Sequence, residues 1–351
     1  MLSKLLHHAS QEELMQLTKD QELTVLWSML HEPGDGLARE IFDSRGPKAI
    51  EDFRTQRASR LWPECVGEEY RAHIPELLER IELRLSKINL IERIERGIRW
   101  NARIYFEDSD SELFEKLRDL GPHRPYLLWI AGDAGILAEE SVSIVGTRNP
   151  SATGLANAKR LVAELASPVI SGGAVGIDAQ VHKSAIDRGL KTAAFMAGGV
   201  DKAYPQANWE LFHDMVQRGG ALISEASPGT TPSRFRFLQR NRLIAAASSA
   251  TYIVEAGYRS GTRNTANHAR VIGREVFAVP GPWAFAPARG TNAMIAEGLA
   301  RPYPLTNFPV ELSMNQKRIQ DAMRAGARFP DEIAAESGLS LASVLEELKP
   351  A

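Results

Sequence analysis

The chain has 351 residues, 44% of them apolar and 25% charged, with a formal net charge of −2. These proportions describe an ordinary folded protein with room for two or three domains, and they exclude a low-complexity or fibrous chain. The near-neutral balance requires any anion-binding surface to be built locally, and the single Cys65 excludes an internal disulfide framework and a cysteine-based metal cluster. Met1–Gln11 carries Lys4, His7 and His8 without a long apolar stretch, and no run approaches the roughly 20 apolar residues of a membrane span. A soluble, cytoplasmic protein is expected.

Residues 1–100 read as a helical N-terminal domain. Gln11–Leu17, Leu23–Leu30 and Leu37–Phe42 carry apolar residues at helical spacing, with a turn at Pro33–Gly36. Ile74, Leu77, Leu78, Ile81, Leu85, Ile88, Ile91, Ile94 and Ile98 then form an amphipathic stripe, a helix or helix pair packed on its neighbours.

From residue 101 to about 310 the pattern changes. Short β-rich runs at Arg103–Phe106, Tyr126–Ile130, Val142–Val145, Val169–Ile170, Thr192–Met196, Ala221–Ser224, Thr251–Val254 and Glu275–Val279 alternate with helical windows at Gly154–Ala166, Ile177–Arg188, Asn208–Arg218, Asn241–Ala247, Arg263–Ile272 and Thr291–Glu297. Strand, crossover helix, strand is the signature of an α/β, doubly wound, mostly parallel sheet, which binds ligands at the carboxyl ends of its strands. Residues 281–310 read as loop, helix and short strand before a linker. Residues 311–351 form a small helical domain of up to three helices with a turn at Ser337-Gly338, suggestive of a helix-turn-helix. Arg324 and Arg328 are too few there to argue DNA recognition.

Arg234–Arg242, read Arg-Phe-Arg-Phe-Leu-Gln-Arg-Asn-Arg, is the densest chemistry in the chain. Arginine gives bidentate phosphate recognition and phenylalanine a face for an unstacked base, a pairing that suits single-stranded nucleic acid. The alternative is that the phenylalanines are core and the arginines a solvated helix face. With a helix starting at Asn241, Arg240 and Arg242 fall in its first turn, where they oppose the dipole unless an anion lies there. Three further strand ends carry glycine turns: Gly146–Gly154 with Arg148; Ser171–Asp178 with Gly172, Gly173 and Gly176, a phosphate-sized nest; and Ser260–Ala266 with Gly261, Arg263 and Asn264. Asp178 and His182, four apart on a helix, read as a local hydrogen-bonded pair. No G-x-G-x-x-G, Walker A loop, G-x-S-x-G, H-E-x-x-H or paired-cysteine motif occurs, so neither a catalytic constellation, a nucleotide cofactor nor a metal is implied.

Ile144–Arg148, Ser171–Asp178 with His182, Gly198–Pro205, Ser224-Glu225, Arg240–Arg242, Val254–Ala256 with Ser260-Gly261, Val279–Gly281 and Gly290–Asn292 together resemble the DNA-processing protein A family (DprA, also called Smf). The resemblance implies an extended Rossmann-like fold that binds single-stranded DNA, usually as a homodimer. It implies a non-catalytic role, protecting incoming DNA and loading the RecA recombinase during natural transformation. It places the phosphate pocket at Arg148, Ser171, Gly172, Gly173, Arg234, Phe237, Arg240, Arg242, Ser260, Gly261 and Asn264, with Asn241 between two of its arginines. The helical N-terminus would be sterile-alpha-motif-like and the tail winged-helix-like. The rival is a Rossmann-like nucleotide phosphoribohydrolase of the lysine-decarboxylase-like group. Its Pro-Gly-Gly-x-Gly-Thr-x-x-Glu motif is absent, the nearest stretch being Glu255–Thr262.

Overall fold

The computed structural model describes residues 17–348 except 203, 259, 304–313 and 328. Most of the expected helix at Gln11–Leu17, the linker before residue 314, and Arg328 lie outside the described residues. The longer helices are α1 (Lys19–Leu30), α2 (Gly36–Arg45), α3 (Ile74–Leu85), α4 (Leu90–Arg99), α5 (Ala152–Glu164), α6 (Ile177–Asp187), α7 (Trp209–Gln217), α8 (Arg234–Ala246), α9 (Thr262–Val271), α10 (Arg289–Ala296), α11 (Met314–Arg324), α12 (Pro330–Ser337) and α13 (Leu341–Glu347). The strands are β1 (Ala102–Phe106), β2 (Leu127–Gly132), β3 (Val142–Val145), β4 (Val169–Ser171), β5 (Thr192–Phe195), β6 (Ala221–Ser224), β7 (Ala250–Ile253), β8 (Glu275–Ala278) and β9 (Arg301–Pro302).

The strands form one sheet in the order β1-β2-β6-β5-β4-β3-β7-β8-β9. From β6 to β9 every pairing is parallel, whereas β1 and β2 join antiparallel at one edge. The fold is therefore α/β, with a mostly parallel, doubly wound sheet. Its strands read as unbroken apolar runs because both faces are covered. Neighbouring residues alternate: Val145, Ile170 and Ile253 pack under α8 and α9, while Ile144, Val169 and Val254 pack under α5 and α6.

The chain steps outward from β3 through β4 and β5 to β6, then returns by α8 to place β7 on the other side of β3. That reversal opens a crevice beyond the carboxyl ends of β3 and β7, where sheets of this kind receive ligands. The connection is also where the sequence reading fails. The helix starts at Arg234, not Asn241, because Ser233 accepts the Arg236 N–H at 3.2 Å and caps it. Arg240 and Arg242 therefore sit in the helix interior, and the dipole conflict expected of them does not exist.

The N-terminal helices enclose a core of their own around Trp27 and Trp62. The long stripe is a helix pair, broken where Asn89 caps α4 through the Glu92 N–H at 3.1 Å. At the other end α11, α12 and α13 share a small core of Ile319, Ala322, Ile333 and Val344, with Gly338 ending α12 in the left-handed conformation. Among the described residues no helix is long and apolar enough to cross a membrane.

Candidate functional site

A cavity of about 910 Å³ occupies the crevice. The turn after β3 contributes Gly146, Thr147 and Arg148 to its wall. The segment leading into α8 and that helix contribute Ser233, Arg234, Phe237, Leu238, Arg240, Asn241 and Ile244. The start of α9 closes it with Ser260, Gly261, Thr262, Asn264 and Thr265, and Tyr204 stands at one side. Its size is at the upper end of small-ligand pockets, which run to about 1,000 Å³.

Helical periodicity sorts the arginine cluster. At about 100° per residue, Arg234, Phe237, Leu238, Arg240, Asn241 and Ile244 share one side of α8, and Arg236, Gln239 and Arg242 lie on the other. Arg236 binds Glu32 by two hydrogen bonds of 3.0 Å each. Arg242 is 2% exposed: it pairs with Glu225 at 2.6 Å and donates to the His123 carbonyl at 2.8 Å and the Gln239 carbonyl at 3.0 Å. Its head lies beside the turn at Gly34, where a Cβ would sit 2.9 Å from Nε. The expected phosphate ligand Arg242 is thus a structural group with no path to the cavity.

Arg240 is also buried but faces the cavity. Its Nη1 donates to the Gly172 carbonyl at 2.6 Å and to the Phe195 carbonyl. Burial pulls the guanidinium down to about 10; Asp178 opposes the drop and Arg148 adds to it. It remains charged at neutral pH, and an anion in the cavity would relieve it. Arg148 is exposed, and its guanidinium lies over the Phe237 ring at 4.8 Å, with Arg240 at 5.8 Å from the same centroid. Tyr204 stands 5.5 Å from Phe237. Asn241 donates to the Asn264 side chain at 3.1 Å, tying α8 to α9.

The glycine turn after β4 does not act as expected. Ser171, Gly172 and Gly173 do not line the cavity. Ser171 is fully buried, donating to the Ile144 carbonyl at 2.6 Å, and the Gly173 carbonyl accepts from Asn208. The nest already holds an anion of the protein's own: Asp178 accepts the Gly146 and Ala174 amides at 3.4 and 3.3 Å. Gly172 is needed for space, since a Cβ there would lie 2.7 Å from Arg240 Nη2 and 2.8 Å from Asp178 Oδ2. Asp178 and His182 are not paired, because His182 Nδ1 bonds Thr192 at 2.7 Å. Arg263 turns away to Glu297, so only two of the arginine-bearing turns supply a cation to the cavity.

Of the expected positions, Arg148, Arg234, Phe237, Arg240, Asn241, Ser260, Gly261 and Asn264 come together around one space. The sequence reading gave no role to Tyr204, Thr147 or Ser233. For Tyr204 the available signal was its place in Gly198–Pro205, a motif already singled out. For Ser233 it was the Pro232-Ser233 helix-start pattern.

The family described as DNA recombination-mediator protein A matches residues 105–309, more than half of the chain and all of the cavity wall. The chain belongs to that family. Among its relatives, a protein named as a DprA in Mycobacterium tuberculosis is 39% identical over 252 residues, 64% of this chain and 64% of that one. The DNA processing protein DprA of Streptococcus pneumoniae is 35% identical over 176 residues, 50% of this chain and 62% of that one. These matches therefore span slightly less than two-thirds of each relative. The crystal structure of the Streptococcus pneumoniae DprA superposes with a TM-score of 0.61 at 25% identity, covering 85% of this chain and 100% of that chain. The DprA fold is thus shared over most of the chain.

Proposed function

We propose that the cavity grips single-stranded DNA and that the protein acts as a non-catalytic recombination mediator. The observation that carries this reading is the Arg148–Phe237–Arg240 stack, in which two cations flank a half-buried aromatic face. Phosphates are neutralised by Arg148, Arg234 and Arg240, and the start of α9 adds its N-terminal amides. A base stacks on Phe237, on Tyr204 or on the Arg148 plane. The recessed ring excludes a duplex, whose bases are paired and stacked out of reach.

The non-catalytic reading is supported by Asp178, the carboxylate lining the cavity, whose oxygens already accept the Gly146 and Ala174 amides. A phosphoribohydrolase would release free base from a nucleoside monophosphate. The family description supports a recombination-mediator role, and we extend it to handing a protected strand to a recombinase of the RecA type, in a cytoplasmic homodimer active in natural transformation. In this reading residues 101–310 are the DNA-binding domain, flanked by helical domains at 1–100 and 311–351.

A salt titration with labelled single-stranded and duplex oligonucleotides tests the site. Single-strand affinity is expected to fall by roughly 0.7 log unit per neutralised phosphate for each log unit of salt. Phe237→Ala is expected to weaken binding by about 1–3 kcal/mol, the contribution of one stacked base. Equal affinity for duplex, or a Phe237→Ala variant that binds like the parent, would exclude this mode.

A further inference from the structure

A second cavity of about 1,080 Å³ adjoins the first, and the two share Tyr204 and Pro232 as walls. Trp100 and Trp209 meet edge to face in it, ring centroids 5.0 Å apart, while 37% and 38% of their surfaces stay exposed. Tyr204 is 49% exposed and presents aromatic surface to both cavities. Three large aromatics left open along one cleft call for a ligand with flat apolar faces.

The charges are arranged to match. Lys202 lines the cleft, its ammonium held by the Thr231 hydroxyl at 3.0 Å and by no carboxylate among the described residues. The neighbouring Asp201 is occupied, bonded to Arg96 and to the Gly229 amide at 2.7 Å. The cleft is also held from behind: Arg93 on α4 donates to the Pro228 carbonyl at 2.7 Å, and the same helix ends at Trp100. The N-terminal helices thus hold the turns at Asp201 and at Pro228-Gly229 and supply one of the rings.

We infer that this cleft is a second stacking subsite, which takes the nucleotides of a single strand that run on past Tyr204 from the arginine cavity. The inference rests on the single-strand reading of that first cavity. Trp100, Tyr204 and Trp209 offer faces to successive bases, and Lys202 takes a phosphate. Base stacking is tolerant of sequence, so the subsite lengthens the footprint without selecting bases. Glu210, on the same wall, sets a limit on affinity by repelling the chain.

The test is a length series of oligothymidylates, from about 4 to about 16 nucleotides, titrated against the full chain by affinity and tryptophan fluorescence. Trp27, Trp62 and Trp129 are fully buried, which leaves Trp100, Trp209 and the exposed Trp283 to respond. The parent is expected to gain affinity with length, with quenching that appears only for the longer oligomers. Trp209→Ala should lose roughly 5- to 150-fold on the longer oligomers and nothing on the shortest. Trp209→Phe, which keeps a stacking face, should restore the affinity but only the Trp100 share of the quenching, and a folding defect would spare neither oligomer class. Lys202→Ala should flatten the salt slope by roughly 0.7 for long oligomers alone. A parent that gains nothing with length, or a Trp209→Ala variant that keeps the whole gain, overturns the second subsite while the first cavity stands. A change of oligomeric state in Trp209→Ala with the length gain intact would mark the cleft as a protein contact and overturn it too. If no oligomer binds the parent, both readings fall.

Discussion

Arg240 and Arg242 stand two residues apart on one helix, both buried, 6% and 2% exposed, and they do opposite things. Arg242 meets a carboxylate, Glu225, and two carbonyls, so its charge and donors are consumed within the fold. Arg240 is fixed by two carbonyls, which orient it without neutralising it, and Asp178 lies across the space above Gly172 without a hydrogen bond to it. A buried cation paired with an acid is a tie between elements. A buried cation held by neutral acceptors at the edge of a cavity is a prepared receptor for an anion.

The largest expected effect separates the two as stability against binding. Arg242→Ala leaves Glu225 buried and unpaired and is expected to cost about 3–5 kcal/mol in denaturant melts. Arg242→Met combined with Glu225→Leu should recover most of that loss, and binding by the folded protein should survive in both. Arg240→Ala is expected to lose about 1.5–3 kcal/mol of single-strand affinity, the scale of hydrogen bonds to a charged group. Adding Asp178→Asn in that background should not restore binding. If Arg242→Ala abolished binding at full stability, the division of the helix into two faces would be wrong.

A smaller change probes what positions Arg240. Gly172→Ala puts a methyl 2.7 Å from Nη2 and 2.8 Å from Asp178. Both neighbours are anchored, so overpacking of about 1–3 kcal/mol is expected, with weaker DNA binding, while the salt slope tracks the displacement of one cation. A crystal structure of the variant with Arg240 unmoved would contradict this role for Gly172.

His182 lies within electrostatic reach of Arg240 from the buried side. Thr192 donates its hydroxyl proton to the Val169 carbonyl, so His182 Nδ1 must be the donor to Thr192, and Nε2 has no partner. Burial, reinforced by Arg240, pulls the imidazole down to about 3. Below its ordinary value of 6.5 the unfolded chain takes up a proton that the folded chain refuses. Stability should therefore fall as pH drops from about 6.5 towards 3, by at most about 1.4 kcal/mol per pH unit from this group. Asp178, whose carboxyl burial raises, works in the opposite sense, so the informative quantity is the difference between the parent and His182→Gln. Parallel stability–pH curves for the two would show that the ring is not held neutral.

The sheet was legible because strands buried on both faces leave apolar runs bounded by glycine: Val142–Val145 and Ala221–Ser224 were placed to the residue. The cavity was legible as a set of turns because the reversal at β3 and β7 gathers whatever follows those strands. The role of each arginine was not legible. A run of arginine and phenylalanine has no apolar period, so it hid the first two turns of α8, and without a helix the nine residues could not be divided into faces. The glycine nest failed for a different reason. Its amides are equally suited to a phosphate and to Asp178, and only coordinates show that the internal carboxylate fills it.

The smallest effect is the sharpest test of the receptor side of the comparison. Arg148 and Arg234 line the cavity from exposed positions, so their replacement leaves no buried charge behind and should leave the melting curve unchanged. Each alanine is expected to flatten the salt dependence of single-strand affinity by roughly 0.7 for the one phosphate it releases. The two should add, since each meets its phosphate independently across the cavity. Arg236→Ala is the control from the opposite face of the same helix: it breaks the contact with Glu32 and should leave the slope alone. A slope that falls equally for Arg234 and Arg236 would mean that the whole helix, not one side of it, senses the polyanion.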